Sequence, residues 1–563
     1  MISLYLQMCV FCQPLIQASS SSLQNSLLHF HLQYYGFNDR EVLERVASIF
    51  QRLSPLPLMV ESESLRFYQP PEIVSGDITT KKAKNIATPE HQNGSHDHSS
   101  SPPREKIRIV FVSCLFGGNE PHGQLVLDVI KSLPSRIFES VAVSVGLKLP
   151  LPNFIEAVNG KVFSVGRDKE KAREVISSQR PDCVVFVENI NNGIMHFLAY
   201  ERFAPVQILL MGAPITGGIP SIDYFLSGDR LEHPFRTQIS GDLSHVEPYS
   251  EQVVLFDGQA LSFPQNQIHS KQDIGLAAGE AVSSFSLLND TGMSYDEFNL
   301  PLVDGKSLYF CFQSLFKITP VFDSVISKIL HGDPHGHFIL QASRSSQKNR
   351  AAKERIKAFI IDDACQGSSG ICESAKDVLS RIHFIPRVKS DQLQMLFQRA
   401  TVALHPFPFD GSKTASDILG SDVPLVIFPQ RYLKGRLAET FYASMAMHEI
   451  DSEVAASKCC VANDIGDYIS KVLRLGTDPQ YRNRVASAIH KRKSRIYDDR
   501  ETSFEWALFL TRSLGVSITR EELALEMEFS PTDWQTEQFH QKVIQSQQSR
   551  WKRKKIEQFI LSQ

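Results

Sequence analysis

The sequence is short of several things at once, and each shortage excludes a class of protein. Its nine cysteines are an odd number spread over 563 residues. Cys9 and Cys12 form one C-x-x-C and Cys459 and Cys460 are adjacent, but no second C-x-x-C or histidine pair completes a zinc pattern. So thin a supply excludes a disulfide framework and points to reduced, mostly buried thiols. No apolar run reaches the roughly 18 residues a membrane-spanning helix needs. The opening stretch, MISLYLQMCVFCQPLIQA, is apolar but has no basic start and is interrupted by Gln7 and Gln13, so it reads as a packing helix and not as a cleaved leader. The net charge of −3 gives the whole chain no general attraction to nucleic acid or to an anionic membrane surface. Internal repeats of 20–50 residues are not visible.

What is present is enough apolar sequence for two or three hydrophobic cores, since one core cannot serve a chain of this length. Residues 1–74 read as a helical N-terminal region. Within it Val42, Val46, Ile49 and Phe50 recur at helical spacing, with Asn38 or Asp39 as the cap. Residues 75–106 are polar and rich in Ser, Pro and His, the composition of a disordered linker, and His91, His96 and His98 belong to that solvated segment. The character changes at Ile107. IRIVFVSCLFGG, SVAVSVG, KVFSVG, DCVVFVEN, VQILLMG and DYFLSG are short apolar strands, several of them separated by helical or polar stretches, and they mark 107–300 as a doubly wound α/β domain. In such sheets ligands bind beyond the carboxyl ends of the strands, which directs attention to 116–122, 189–193 and 212–218.

A second series over 301–515 begins with the strand and lysine of SLYFCFQSLFKITP. It continues through FDSVISKIL, HFILQAS, RIHFIP and SDQLQMLFQRA, and its later part is helical, with Asp451 and Asp464 as caps. HGDPHGH at 331–337 resembles metal bait but joins a helix to a strand and reads as a loop, and Asp362 and Asp363 read as surface residues in place of a metal-binding D-x-D. The tail, 516–563, is charged and helical. Its RWKRKK run is a solvated basic face or, on the sharper reading, a nuclear-targeting or nucleic-acid patch.

The most informative stretch is 401–430, TVALHPFPFDGSKTASDILGSDVPLVIFPQ. It reads as strand, turn, short helix and buried strand. A strand that ends in small residues at a helix N-terminus is an anion site, because free backbone N–H groups and the helix dipole both face the ligand. Lys413 adds a positive charge there, and Asp417, one turn on, is placed to accept hydrogen bonds from ribose hydroxyls. The residues alone leave two readings open, a nucleotide phosphate-and-sugar site and an ordinary βαβ unit with a polar turn.

LHPFPFDGSKTASDIL resembles the nucleotide-sugar loop of glycosyltransferase family 41, which includes O-GlcNAc transferases, SPINDLY-type transferases and bacterial cytoplasmic N-glucosyltransferases. Other segments are similar in the family's order: IRIVFVSCLFG, FAPVQILLMGAPITGGIPSIDYFLSGD, YSEQVVLF, YFCFQSLFKITP and RIHFIPRVKSDQLQMLFQRATVAL. The resemblance covers about 107–515. It implies an α/β GT-B fold, two Rossmann-like domains facing across a cleft and preceded by a short helical region, with the donor held by the second. It also implies inverting transfer from a UDP-sugar to an acceptor protein with no cofactor and no metal. Carried onto this sequence, it makes Lys317 and His122 the catalytic candidates. Gln313, Lys389, His405, Ser412, Lys413, Thr414 and Asp417 become donor-binding candidates, and Gly212, Pro214, Thr216 and Gly217 a cleft loop.

This chain departs from the O-GlcNAc branch at several places. Ser412, Lys413 and Thr414 replace a His-Thr-Thr triplet, Ser314 stands where that branch has a glutamine that here is Gln313, and Ser390 follows Lys389 at the branch's uracil-side lysine. Leu393 and Asn119 occupy histidine positions, with His122 three residues beyond the latter. The expected donor is UDP-GlcNAc, with UDP-glucose behind it. The acceptor is Ser/Thr, or Asn if the HPFPF string tracks acceptor type, and a catalytically weak nucleotide-sugar-binding scaffold is the alternative to an enzyme. A cytoplasmic setting, with nuclear entry open, suits all of these; membrane and nucleic-acid partners do not.

Overall fold

The computed structural model of the protein describes residues 34, 38–53, 106–117, 121–146, 150, 152–188, 193–210, 214–232, 248–256, 260–261, 263, 306–365, 371–388, 390–450, 452–497 and 500–528. Expectations for Cys9 and Cys12, the 75–105 linker, Asn119, Gly212, Lys389, Asp451 and the RWKRKK run fall outside the described residues.

Helix α1, Arg40–Leu53, precedes the first sheet. Arg40 N–H donates to Asn38 Oδ1 at 3.1 Å, whereas the other candidate cap, Asp39, is engaged elsewhere. Seven strands follow: β1 Ile107–Ser113, β2 Phe138–Ser144, β3 Val162–Ser164, β4 Cys183–Phe186, β5 Val206–Leu209, β6 Tyr224–Gly228 and β7 Gln252–Phe256. Their order is β3-β2-β1-β4-β5-β6-β7 and every paired register is parallel. The runs IRIVFVS and CVVF are almost wholly buried, as strands covered on both faces must be. Helix α2, Pro121–Ser132, leads from β1 toward β2.

The second sheet comprises β8 Leu308–Cys311, β9 His337–Gln341, β10 Ile382–Ile385, β11 Val402–Leu404 and β12 Leu425–Val426, again parallel, in the order β10-β9-β8-β11-β12. Among its helices are α3 Pro320–Gly332, α4 Lys413–Gly420 and α5 Ile465–Thr477, the last capped by Asp464 through the Asp467 N–H. Strand β11 is shorter than TVALHPFPF suggests. It stops at Leu404 because Pro406 and Pro408 bring no N–H to a ladder.

The last long helix, α6 Arg500–Ser513, returns to the first sheet, although the sequence places it with the second domain. Trp506 Nε1 donates to the Ala260 carbonyl at 3.0 Å, and the Phe509 ring lies 5.2 Å from Tyr224. Its aromatic face is what brings it there. A second departure concerns the thiols. The ends of two successive helices bring Cys365 and Cys372 to a Cα separation of 5.7 Å, and these two are disulfide-bonded, as are adjacent Cys459 and Cys460. Cys183 and Cys311 carry buried free thiols. No helix among the described residues is long and apolar enough to cross a membrane.

Candidate functional site

Each sheet reverses its strand order once, between β1 and β4 in the first and between β8 and β11 in the second. At such a reversal the two adjoining connections leave in opposite directions and open a crevice beyond the strand ends. The ends of β1 and β4 meet at the first crevice, and the turn after β8 meets the donor loop after β11 at the second.

In the second sheet, β8 ends at Cys311 and the chain turns through Gln313 into a short 3-10 helix, Leu315–Lys317. The Lys317 ammonium donates to Gln313 Oε1 at 2.9 Å and to the Asp410 carbonyl at 2.6 Å, and lies 4.6 Å over the Phe409 ring. An ammonium has three donors, so one N–H remains for a ligand. Burial lowers the Lys317 pKa to about 8 against the opposing pull of the Asp410 and Cys311 side chains. Gln313 passes the arrangement on, its Nε2 meeting His405 Nε2 at 3.1 Å. Burial, reinforced by the Lys317 charge, takes His405 down to about 3, so its imidazole is neutral at physiological pH. With the Gln313 amide donating to Nε2, the His405 proton sits on Nδ1, and that buried nitrogen has no hydrogen-bond partner among the described residues. Burial raises the Asp410 pKa, opposed by the Ala438 N–H and by Lys317. Its Oδ2 accepts from Ala438 N–H at 3.0 Å while Oδ1 is likewise buried and unpartnered. Gly411 is required beside this group, since a Cβ there would lie 2.7 Å from the Gln313 amide.

The donor loop then enters α4. Its cap, Ser412, makes no side-chain capping bond, and Ser412, Lys413 and Thr414 are all partly exposed at the first turn. Lys413 and Asp417 form an ion pair with each other, one turn apart. The structure therefore turns Lys413 toward Asp417 and satisfies part of the carboxylate before any sugar arrives. Tyr468 on α5 fixes the loop's start by donating to the His405 carbonyl at 2.9 Å.

Two buried carboxylates organise the first domain, one at its crevice and one beside the edge strand β7. Glu188, just past β4, accepts from Ser113 Oγ at 2.7 Å and from Cys114 N–H at 2.6 Å, and is fully buried. Glu251 accepts from Thr216 Oγ1 and from Gly217 N–H, both at 2.6 Å, and so fixes the predicted cleft loop through Pro214, Thr216 and Gly217. Burial raises the pKa of both acids, opposed by those same hydrogen bonds. Glu188 and Glu251 had no role in the reading of the sequence. Each lies inside an apolar run, VVFVEN and YSEQVVLF, and a lone acid in such a run is the signal that was available. His122 lies in the first turn of α2, beyond the carboxyl end of β1 and away from the Lys317 group in sequence; its side chain is outside the described residues. Ser390 begins the helix Ser390–Arg399, on which Leu393 packs against the core.

Two parallel sheets of this order, each with a crevice at its reversal, define a GT-B-type fold. No protein-family model matches the chain. It is 24% identical over 319 residues to the probable UDP-N-acetylglucosamine–peptide N-acetylglucosaminyltransferase SPINDLY of Petunia hybrida and 23% identical over 319 residues to that of Solanum lycopersicum. Each match covers 56% of this chain and 28% of the relative, so the chain spans little more than a quarter of these proteins. Its structure superposes on a mutant of Thermobaculum terrenum O-GlcNAc transferase with a TM-score of 0.60 at 16% identity, covering 94% of this chain and 82% of that one. Together these likenesses support a classification alongside the glycosyltransferases of family 41.

Proposed function

We propose that the chain is an inverting, metal-independent protein glycosyltransferase that moves GlcNAc from UDP-GlcNAc to Ser/Thr hydroxyls. The single observation carrying this reading is the meeting, at the reversal of the second sheet, of Lys317 with an N–H to spare and the side-chain-uncapped start of α4. As a glycosidic bond to UDP breaks, the diphosphate gains negative charge, and a fixed ammonium and helix N-terminus stabilise that charge without having to reorganise. Thr414 and the first-turn N–H groups complete the phosphate cradle. Asp417 receives the ribose hydroxyls, in exchange with Lys413, which is then free to reach the diphosphate. Gln313 and His405 hold Lys317 in place, and Lys389 serves the base. On the acceptor side the Pro214–Gly217 loop lets backbone approach the sugar, and His122 is the candidate to take the acceptor proton. The similarity to probable UDP-N-acetylglucosamine–peptide N-acetylglucosaminyltransferases supports the donor and acceptor class.

The test is a panel of UDP- and GDP-sugars with mixed cytosolic protein in EDTA, reading released nucleotide diphosphate. Acceptor-dependent UDP release from UDP-GlcNAc is the expected result. Release from UDP-glucose alone moves the assignment to glucosyl transfer, and UDP binding without release from any sugar moves it to a non-catalytic nucleotide-sugar-binding protein. Failure to bind UDP overturns the donor site.

A further inference from the structure

The N-terminal segment touches both halves of the molecule at the cleft. On one side Leu43 of α1 packs with Ile215 as a small apolar pair separate from the main core. Gly218, at φ +66°, comes so close that a Cβ on it would lie 2.6 Å from Leu43. On the other side Asp39 Oδ2 accepts from Lys434 Nζ at 2.5 Å, and both residues are buried. A buried ion pair adds little net stability, but breaking one side of it is costly, so it fixes geometry strongly. The Lys434 carbonyl accepts from Asp410 N–H at 2.9 Å, and the Asp410 carbonyl in turn holds the Lys317 ammonium. Tyr34 is buried as well. Its ring centroid lies 4.5 Å from that of Phe316 and 4.7 Å from that of Phe409, the ring beneath Lys317.

We infer that the segment bearing Tyr34 and Asp39 is a wall of the donor pocket, and that these two are positioning residues for Lys317. The inference rests on the proposed donor site and adds a third chain segment to it. Tyr34 backs the aromatic floor on which the ammonium sits and keeps water from it. Asp39 holds the 433–438 turn, and through it Asp410, in register. The groups facing Lys317 are Asp410 and His405 from the donor loop, Cys311 from β8 and the Gln313 amide; the Tyr34 phenol, raised by burial, is neutral throughout the working range.

The experiment is UDP binding by calorimetry to the full chain between pH 6 and 10, for wild type, Tyr34→Ala, Tyr34→Phe, Asp39→Asn and Lys317→Ala. Removing the ring exposes the ammonium, so Tyr34→Ala should bind about three- to tenfold more weakly at pH 7, the size of an aromatic contact. Its pH midpoint should also move up toward an ordinary lysine, a shift that general loosening of the fold does not produce. Tyr34→Phe should restore both, and Asp39→Asn should weaken binding at every pH. If Tyr34→Ala does not fold, Tyr34→Leu provides the same two readings. Unchanged affinity and midpoint in the Tyr34 variant, with binding lost in Lys317→Ala, overturn the inference and leave the donor site standing. Wild-type affinity in Lys317→Ala overturns the donor site and this inference with it.

Discussion

The two crevices are built alike and finished differently. At the first, the buried carboxylate Glu188 is closed off by a hydroxyl and an N–H, as Glu251 is beside the edge strand β7. At the second, a partly buried cation keeps one N–H unused, and His405 Nδ1 and Asp410 Oδ1 have no hydrogen-bond partner among the described residues. Buried polar groups are nearly always paired, so unpaired ones mark where a structure awaits something. One crevice holds its own loops in shape, and the other, on the proposed reading, offers its unpaired groups to the donor.

That contrast can be broken in several ways. The largest effect belongs to Lys317→Ala, expected to lower sugar-transfer turnover about 10²–10³-fold, the scale for removing one preorganised donor to developing charge, as read by UDP release. Next is pH. The Lys317 pKa is lowered to about 8, so the ammonium is present below that value and lost above it. UDP affinity should therefore be level from pH 6 to 7 and fall as pH rises through about 8, which calorimetry checks.

On the closed side, Glu251→Ala leaves Thr216 Oγ1 and the Gly217 N–H unpaired and should cost about 1–3 kcal/mol in denaturant unfolding, with little change in UDP affinity. Asp417→Asn should weaken UDP binding by about tenfold, because a charged acceptor is lost, although the release of Lys413 toward the diphosphate offsets part of it. The smallest effect is expected at Glu188→Gln, under about 1 kcal/mol near neutral pH, since the amide can pair with both neighbours. Its sign follows from the raised folded-state pKa. The stability Glu188 contributes is complete below the unfolded carboxyl pKa and is lost as pH rises through the folded one, so wild type should lose ground to the variant as pH rises.

Much of the second crevice was legible because it depends on local sequence. An apolar run, a small-residue turn and a short helix lie in one stretch, and Lys317 follows directly on a buried strand. Its internal pairings were not legible. That Gln313 spans Lys317 and His405 depends on two strands, distant in the chain, lying side by side. The mutual pairing of Lys413 and Asp417 was open to reading from their spacing of four, yet the functional reading assigned each to a ligand. Glu188 and Glu251 were missed because periodicity marks apolar faces and gives no signal for an acid whose partners come from a distant part of the chain. The helical pattern of α6 was plain in EWALFLTRSL, but its destination was not, since an apolar stripe does not name the sheet it will cover.

The return of α6 has a mechanical consequence. The chain passes from the first sheet to the second after β7 and comes back before residue 500, so the two halves are joined by two strands of backbone and not by one. A single tether allows one body to swing and swivel about the other. Two tethers restrict that swivel more than one would, as two hinges hold a door to a single arc.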